Sequence, residues 1–416
     1  VLAQRNLNDT GKVCNNIHGT TYAGGYLYGS CRYSPLIMRM PANDYTNYDV
    51  VAMDDIVTVC NMDTLVYAGG KLWTIGGFTS QGAAHVDPDL SNRIYCLDSA
   101  INGGSPSCAD ADYYYGGSSF ISKFRLSDGV LMLNRYVAGD VGPPWGAVHS
   151  MVEDGAYLYI SVVVGDEAGG YFCKVRKSDL VTVAHIAIPK ATDDMTQDAN
   201  YCYLGIEVSS TMSPYPGYDI GAMQIKKSDL SVVTLPKFES EGNDTLSYGS
   251  LYFGGYLFDI KTNNHVYVMS CQDPGMTLVK DYRVTGITEP EAPYNRLINE
   301  IVRDDDGYFH LTLWYSQMPV LAHFSSWIKI AFDLTFTDVP TVVTGSMSLV
   351  GKRAMRLNGD VRDAGGLTVT ETGFYFDGSN PPTTKIAVGS GLGPYTFDAS
   401  GLSEATPYYA RSYAIN

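Results

Sequence analysis

Long apolar runs and clusters of basic residues are what this 416-residue sequence lacks. No stretch approaches the roughly 18 consecutive apolar residues that a membrane-spanning helix needs, so the sequence predicts no membrane span. Lys and Arg number 28 against 44 Asp and Glu, which gives a formal net charge of −16. Without a basic patch that could neutralise phosphates, nucleic acid is disfavoured as a partner.

Signatures of catalysis and of cofactor binding are also missing. The chain has no Gly-x-Ser-x-Gly elbow, no His-Glu-x-x-His pair, no P-loop and no dinucleotide fingerprint. Its seven histidines are scattered along the sequence. Catalysis would need residues such as His149 and His310 to converge with acidic loops in one pocket. We therefore predict no cofactor, and we leave the question of enzymatic activity open.

Amphipathic helices are absent too, and a repeated pattern of short strands takes their place. Tyr-x-Gly-Gly-x-Leu-aromatic segments recur at 22–28, 67–73 and 252–258. A second segment, which ends in Ser-Asp, places Asp128, Asp179 and Asp229 at intervals of 51 and 50 residues. Asp281 and Asp333 continue this row at intervals of 52. A repeat of this length, made of short strands, is typical of a propeller blade.

The repeats predict an all-β fold with a β-propeller of six or seven blades over residues 16–338. Asp44 and Asp128 are 84 residues apart, which predicts an insertion in the second repeat at about 79–117. Residues 1–15 precede the first repeat and are predicted to be extended, without a blade of their own.

After Pro340 the pattern changes. Residues 365–374 read Gly-Gly-Leu-Thr-Val-Thr-Glu-Thr-Gly-Phe, and residues 406–411 read Thr-Pro-Tyr-Tyr-Ala-Arg. These motifs resemble the fibronectin type III-like modules of Bacteroidetes surface proteins and phage tail proteins. The resemblance implies an Ig- or fibronectin III-like sandwich over 339–416, with Tyr408 at the tyrosine-corner position. In that family another strand follows the Tyr-Tyr-x-Arg strand, so we expect this sandwich to lack its last strand.

The eight cysteines show no Cys-x-x-Cys spacing. Cys96 and Cys108 bracket a polar loop and form the best candidate disulfide. Cys173 and Cys202 lie on successive repeats and form a second, weaker candidate. The alternative is that the cysteines are buried free thiols.

Acidic turns and aromatic clusters supply the candidate ligand sites. Asp87, Asp89, Asp110 and Asp112 are paired two residues apart in loops, where carboxylates can bind Ca²⁺. Calcium is therefore the one metal we consider, and the alternative is that these residues only form turns. An aromatic cluster could bind a sugar or a protein, or could close the propeller rim; its members are Tyr113, Tyr114, Tyr115 and Trp145.

Together these features favour an extracellular structural or adhesive protein on a cell or virion surface, such as a subunit of a filament or fibre. We expect a head-to-tail homo-oligomer in which one copy donates a strand to its neighbour. The predicted interface consists of donor residues Val1, Leu2 and Leu7 and acceptor residues Tyr409, Arg411 and Tyr413. If the chain instead continues past Asn416, it supplies the strand itself. Two alternative functions stay open: a secreted propeller enzyme acting on glycans, and a lectin-like propeller. A glycan or a cell-surface protein is the expected partner.

Overall fold

The computed structural model describes most of the chain, and nearly all of its regular structure is β-strand. The described residues are 2–7, 17–31, 36–53, 62, 64–75, 82–97, 106–141, 146–164, 170–188, 191–206, 220–236, 247–261, 265–272, 274–285, 295–316, 323–332, 340–348, 351–363, 369–404 and 406–415. The chain divides into two compact units, residues 1–251 with 257–332 and residues 252–256 with 333–416. The prediction of an all-β protein is confirmed.

Between residues 3 and 330 the described chain forms seven four-stranded antiparallel sheets, which we number in chain order. Strand β1 (Ala3–Asn6) belongs to the last of them. Sheet 1 contains β2 (Ile17–Ala23), β3 (Tyr26–Cys31), β4 (Leu36–Pro41) and β5 (Asp49–Ala52). Sheet 2 contains β6 (Val66–Ala68), β7 (Lys71–Ile75), β8 (Gly82–Val86) and β9 (Ile94–Leu97). Sheet 3 contains β10 (Ser107–Ala109), β11 (Tyr113–Gly116), β12 (Phe120–Arg125) and β13 (Leu131–Tyr136).

The remaining sheets repeat this arrangement. Sheet 4 contains β14 (Gly146–Asp154), β15 (Tyr157–Val164), β16 (Gly170–Arg176) and β17 (Val181–Ile188). Sheet 5 contains β18 (Ala191–Gln197), β19 (Tyr201–Ile206), β20 (Ile220–Lys226) and β21 (Val232–Pro236). Sheet 6 contains β22 (Ser247–Phe253), β23 (Tyr256–Lys261), β24 (His265–Gln272) and β25 (Gly275–Arg283). Sheet 7 contains β26 (Asn295–Arg303), β27 (Phe309–Ser316) and β28 (His323–Ile330), and β1 is its fourth strand.

The Gly-Gly motifs form the tight turn between the first two strands of a sheet. Gly24 and Gly25 have φ angles of 56° and 83°, and the glycine pairs at 69–70 and 254–255 have similar values. A two-residue hairpin needs positive φ at both central positions, which glycine adopts without a steric cost. The aromatic and aliphatic residues that follow then enter the second strand, where Leu27 and Leu72 are fully buried.

Hydrophobic clusters lie between consecutive sheets. One cluster joins Tyr115 and Ile121 of sheet 3 to Leu158 and Cys173 of sheet 4. Others join sheets 7 and 1, sheets 1 and 2, sheets 2 and 3, and sheets 4 and 5. The first strands of sheets 7, 1, 2, 3, 4 and 5 contact one another in that order. These six sheets therefore bury apolar faces against their neighbours, as propeller blades do.

The N-terminal segment corrects the prediction that residues 1–7 donate a strand to another copy. Strand β1 pairs with β28 of the same chain, from Ala3 opposite Lys329 to Asn6 opposite Ser326. Leu7 is fully buried, and its backbone N–H donates to the carbonyl of Ser325. Leu2 donates to the carbonyl of Lys329, while its side chain is 61% exposed. Val1 lies outside the described residues. The described residues between 295 and 330 supply three strands of sheet 7, and β1 of the same chain supplies the fourth.

The predicted insertion at 79–117 is also wrong. Strands β8 and β9 complete sheet 2, and β10 and β11 begin sheet 3. The 84-residue interval therefore holds two shorter repeats, and Asp89 occupies the turn position that Asp128 holds in the next sheet. Asp281 departs from the row as well, since it lies within β25 opposite Tyr267.

The described part of the second unit forms two three-stranded sheets. Its strands are β29 (Thr341–Thr344), β30 (Ala354–Asp363), β31 (Glu371–Asp377), β32 (Lys385–Gly389), β33 (Gly393–Ser400) and β34 (Tyr409–Ile415). The sheet orders are β29-β30-β33 and β32-β31-β34. Both sheets contribute to one buried cluster, which contains Leu357, Phe374, Phe376 and Ala399.

Candidate functional site

The first pair of predicted calcium ligands belongs to the turn between β8 and β9. Asp89 accepts hydrogen bonds from the backbone N–H and the hydroxyl of Ser91, at 3.0 and 2.5 Å. These bonds lower the pKa of the Asp89 carboxyl. Asp87 accepts from Asn92 at 2.7 Å and lies 3.6 Å from the ammonium of Lys71. Both carboxylates are thus engaged in shaping the turn.

The second pair lies in the turn between β10 and β11. One oxygen of Asp110 accepts the backbone N–H groups of Asp112 and Tyr113, and the other accepts Tyr115 and Lys177. Asp112 is exposed. Within the described residues, no three His, Cys, Asp or Glu side chains come together as a metal site. The calcium prediction thus gains no support there.

The aromatic cluster does not form a surface. Tyr114 and Tyr115 are fully buried on opposite faces of sheet 3, in the clusters that face sheets 2 and 4. Their assignment to a ligand surface is wrong, because alternation along β11 places one ring in each core. Tyr113 is only half-buried, and the ammonium of Lys123 lies 3.9 Å from the centre of its ring. Trp145 lies outside the described residues.

The two predicted disulfides are wrong. Cys96, Cys108, Cys173 and Cys202 are all free thiols, and so is Cys271. Cys173 belongs to the cluster between sheets 3 and 4, whereas Cys202 belongs to the cluster between sheets 4 and 5. Cys96 and Cys108 likewise pack in different clusters. Burial raises the pKa of Cys96 to about 11 and of Cys173 to about 12, so these thiols are unreactive. Cys31 is disulfide-bonded.

Buried polar clusters lie at the junctions between sheets, and sequence reasoning missed them. At the junction of sheets 3 and 4, Lys177 donates to Asp110 at 2.6 Å and to Glu153 at 3.0 Å. Burial works against the charge of Lys177, but these two carboxylates outweigh it and raise the pKa of Lys177. At the junction of sheets 4 and 5, Lys227 donates to Asp154 at 2.9 Å and to the carbonyl of Asp198.

The junction of sheets 7 and 1 carries a Tyr–His–Asp relay. The hydroxyl of Tyr45 lies 2.5 Å from Nδ1 of His310, and Nε2 of His310 lies 2.9 Å from Oδ2 of Asp304. Burial lowers the pKa of His310, although Asp304 acts in the opposite direction. Burial disfavours the charge of Asp304, but hydrogen bonds from His310 and from the Tyr308 N–H lower its pKa overall. The arrangement therefore holds a neutral imidazole between a phenol and a carboxylate.

This relay occupies a position that recurs in other sheets. Asp110 accepts a hydrogen bond from Tyr115, and Asp198 accepts one from Tyr203 at 2.6 Å. In each case an Asp in the first turn of a sheet binds a side chain five or six residues later. That spacing is the sequence signal that could have revealed the clusters. Because His310 and Asp304 are 1% and 3% exposed, the relay is a structural junction that holds sheet 7 to sheet 1.

His149 does not join this relay. It lies in β14 of sheet 4, whereas His310 lies in β27 of sheet 7. The convergence that a catalytic pocket would require is therefore not found for this pair.

Basic residues on the third strand of several sheets clamp the next sheet. Each donates a hydrogen bond to a backbone carbonyl in the last turn of the sheet that follows, at 3.1–3.2 Å. The four pairs are Arg39 with Pro88, Lys123 with Lys177, Lys174 with Lys227, and Lys329 with Ala42. These clamps fix the order of the sheets and account for several of the scattered lysines.

A cavity of about 470 Å³ opens at the junction of sheets 2 and 3. It is lined by Gly69, Ala111, Asp112, Tyr113, Arg125, Leu126 and Ser127. Leu126 stands where Lys177 and Lys227 stand in the corresponding turns of sheets 4 and 5. The lysine that bridges those junctions is therefore replaced here by an apolar side chain.

The predicted acceptor residues lie on β34, which pairs with β31 on one side. Tyr409 is 37% exposed, whereas Tyr413 is 9% exposed and donates to Glu371 at 2.7 Å. The guanidinium of Arg411 lies 5.1 Å from the ring centre of Tyr375. Among the described strands, none pairs with the other edge of β34.

Comparisons with solved structures identify the class of fold as a β-propeller. The chain is similar to the Pan2 WD40 domain of Neurospora crassa, at 7% identity and a TM-score of 0.53, covering 78% of this chain and 92% of that one. It is similar to Kuenenia stuttgartiensis hydrazine synthase, at 13% identity and a TM-score of 0.59, covering 79% and 99%.

A third similar structure is the extracellular domain of a putative one-component system from B. thetaiotaomicron. It matches at 9% identity and a TM-score of 0.55, over 100% of this chain and 59% of that one. No family model matches the sequence, and no curated protein matches it. At such low identities the similarity establishes the propeller-type fold and nothing about activity.

In the part of the chain that the structure describes, no helix is long and apolar enough to cross a membrane.

Proposed function

We propose that this chain is an extracellular structural or adhesive protein, built as a seven-bladed propeller followed by a fibronectin III-like sandwich. The seven four-stranded sheets support the blade count. The orders β29-β30-β33 and β32-β31-β34 correspond to strands A-B-E and C′-C-F of such a sandwich, with β34 as strand F. The similarity to an extracellular domain agrees with an exterior location.

The outer edge of β34 carries the proposal. The Ser412 N–H donates to the Thr344 hydroxyl rather than to β31, so it points to the outer edge. In an antiparallel ladder alternate residues face the same edge, so Ala410 and Ala414 also present their N–H groups there. Among the described residues this edge has one bond to a side chain, that of Ser412, but no backbone ladder, and an edge without a ladder partner is a template for strand addition.

We infer that a strand from a neighbouring copy pairs with this edge. A contact between two different surfaces of the same chain is heterologous, and it extends into a filament when it does not close into a ring. The donor is not β1, since that strand completes sheet 7. The assembly is thus of the head-to-tail kind.

The experiment measures the oligomeric state of the 416-residue chain by light scattering and electron microscopy over a range of concentrations. We expect concentration-dependent oligomers or filaments. Ala414→Pro removes one outward N–H without removing a bond to β31, so it should weaken assembly. Ala414→Val keeps that N–H and is the matched control.

A chain that stays monomeric at every concentration would refute assembly at this edge. Equal assembly by wild type and Ala414→Pro would place the contact elsewhere. Circular dichroism of both variants establishes that the second unit remains folded.

A further inference from the structure

The cavity between sheets 2 and 3 differs from the equivalent places at two other junctions. At the junction of sheets 4 and 5, Asp154 of the first hairpin binds Lys227. The aligned residues at the junction of sheets 2 and 3 are Ala68 and Leu126. With neither the carboxylate nor the ammonium present, no side-chain bridge fills this junction, and a cavity of about 470 Å³ is left.

The size of this cavity suits a small ligand. Sites for small molecules typically measure about 300–1,000 Å³ and combine an apolar floor with a few polar groups. Gly69, Ala111 and Leu126 supply small and apolar lining, while Asp112 and Ser127 supply oxygen atoms. The remaining polar lining is Tyr113 and Arg125.

The charges at the cavity argue against an anionic ligand. The guanidinium of Arg125 is held by Asp128, with 2.6 Å between Nη2 and Oδ2. The ammonium of Lys123 lies over the Tyr113 ring and donates to the carbonyl of Lys177. Asp112 adds a negative charge to a chain whose formal net charge is already −16. A phosphate or carboxylate would therefore meet repulsion without a free cation to bind.

The same lining disfavours a purely apolar ligand, because the Asp112 carboxylate and the Ser127 hydroxyl would lose water without gaining partners. A neutral sugar avoids the repulsion that an anion would meet, and it supplies hydrogen-bond partners for the polar lining. Its hydroxyl groups can donate to the carboxylate of Asp112 and accept from the hydroxyl of Ser127, and its C–H surface can pack against Ala111 and Leu126.

We propose that this cavity binds a neutral hexopyranose, such as the terminal residue of a glycan. This inference gives the adhesive role a ligand class. Its residues belong to the first unit and β34 belongs to the second, so its failure would leave assembly at that edge untouched, and the reverse also holds.

The test measures the binding of lactose, maltose, cellobiose and mannobiose to the full chain. Saturation-transfer NMR and calorimetry detect the binding. We expect at least one disaccharide to bind, with transfer to its pyranose protons. Asp112→Ala should weaken that binding about tenfold or more, because it removes a charged hydrogen-bond acceptor. Ala111→Trp should abolish binding by filling the cavity. Both residues are exposed in a turn, so the variants should fold.

Arg176→Ala is the matched control. It removes the Arg176–Asp179 pair, which has the same geometry as Arg125–Asp128 but lies in sheet 4, beside the Lys177 bridge. Binding should persist in this variant. The proposal is overturned if no disaccharide binds, if Asp112→Ala and Ala111→Trp bind like wild type, or if the control loses binding to the same degree.

Discussion

The hydroxyl of Tyr45 reaches Nδ1 of His310 at 2.5 Å, although the two residues lie 265 positions apart in the sequence. The contact joins sheet 1 to sheet 7. Tyr45→Phe would leave the buried imidazole nitrogen without its partner, so we expect a loss of about 1–3 kcal/mol in the free energy of unfolding. Urea denaturation of the variant and of wild type measures this loss of free energy.

Tyr22→Phe is the control, because its hydroxyl donates to Asp305 across the same two sheets but in an exposed position. It should cost less than about 1 kcal/mol, since water replaces the lost partner. Equal losses in the two variants would contradict a special role for the relay.

The position of Leu7 yields a second prediction. Leu7 is fully buried in the cluster between sheets 7 and 1, so Leu7→Ala should destabilise the protein by about 2–5 kcal/mol. Leu2 is 61% exposed, so Leu2→Ala should have little effect. Thermal and urea unfolding compare the two. A Leu7→Ala variant as stable as wild type would argue against the pairing of β1 with β28.

The bridge at Lys177 yields a third prediction. Lys177→Met would leave Asp110 and Glu153 without the ammonium that binds both, and we expect a loss of about 3–5 kcal/mol. Lys71→Met removes a partly exposed pair with Asp87 at 3.6 Å and should cost about 1 kcal/mol or less. Similar stabilities of the two variants in urea would refute the difference between a buried bridge and a surface pair.

His85 predicts how stability depends on pH. Burial lowers the pKa of His85 from 6.5 to about 4. Between these values the unfolded chain binds the proton and the folded chain does not, so stability from this group is present above pH 6.5 and is lost as the pH falls towards 4. The full effect is at most about 3 kcal/mol.

His85→Phe removes this titration and keeps a ring beside Trp73. The unfolding free energy of this variant, measured in urea from pH 7 down to pH 4, should therefore fall less steeply than that of wild type. The exposed His185 provides the control as His185→Phe. Parallel pH profiles for wild type and His85→Phe would show that His85 titrates normally.

The strand pattern was predictable because it depends on local signals. Gly24 and Gly25 specify a hairpin, and residues after them such as Leu27 and Tyr28 alternate between the two cores on either side of the sheet. The number of sheets was not predictable in the same way. Asp89 and Asp128 are only 39 residues apart, so two short repeats together have the length of one 50-residue repeat with an insertion.

The junction clusters were hidden for a different reason. Lys177 binds Asp110 across 67 positions, and only the order of the sheets brings the two together. The cysteines show the same limit. Cys173 and Cys202 lie on successive repeats, but their strands turn the thiols into different cores, which spacing alone does not reveal. The cavity is likewise visible only when Leu126 is compared with Lys177 and Lys227 in three dimensions.

The pairing of β1 with β28 has a consequence for biosynthesis. Residues 3–6 are synthesised before residues 326–329, which are their pairing partners. While most of the chain is still being made, this strand has no sheet to join, and Leu7 remains exposed to water. The nascent chain thus carries an unpaired segment with an exposed Leu7 until residues 326–329 have emerged. We expect chaperones that bind exposed apolar segments to have their longest window of access at residues 3–7.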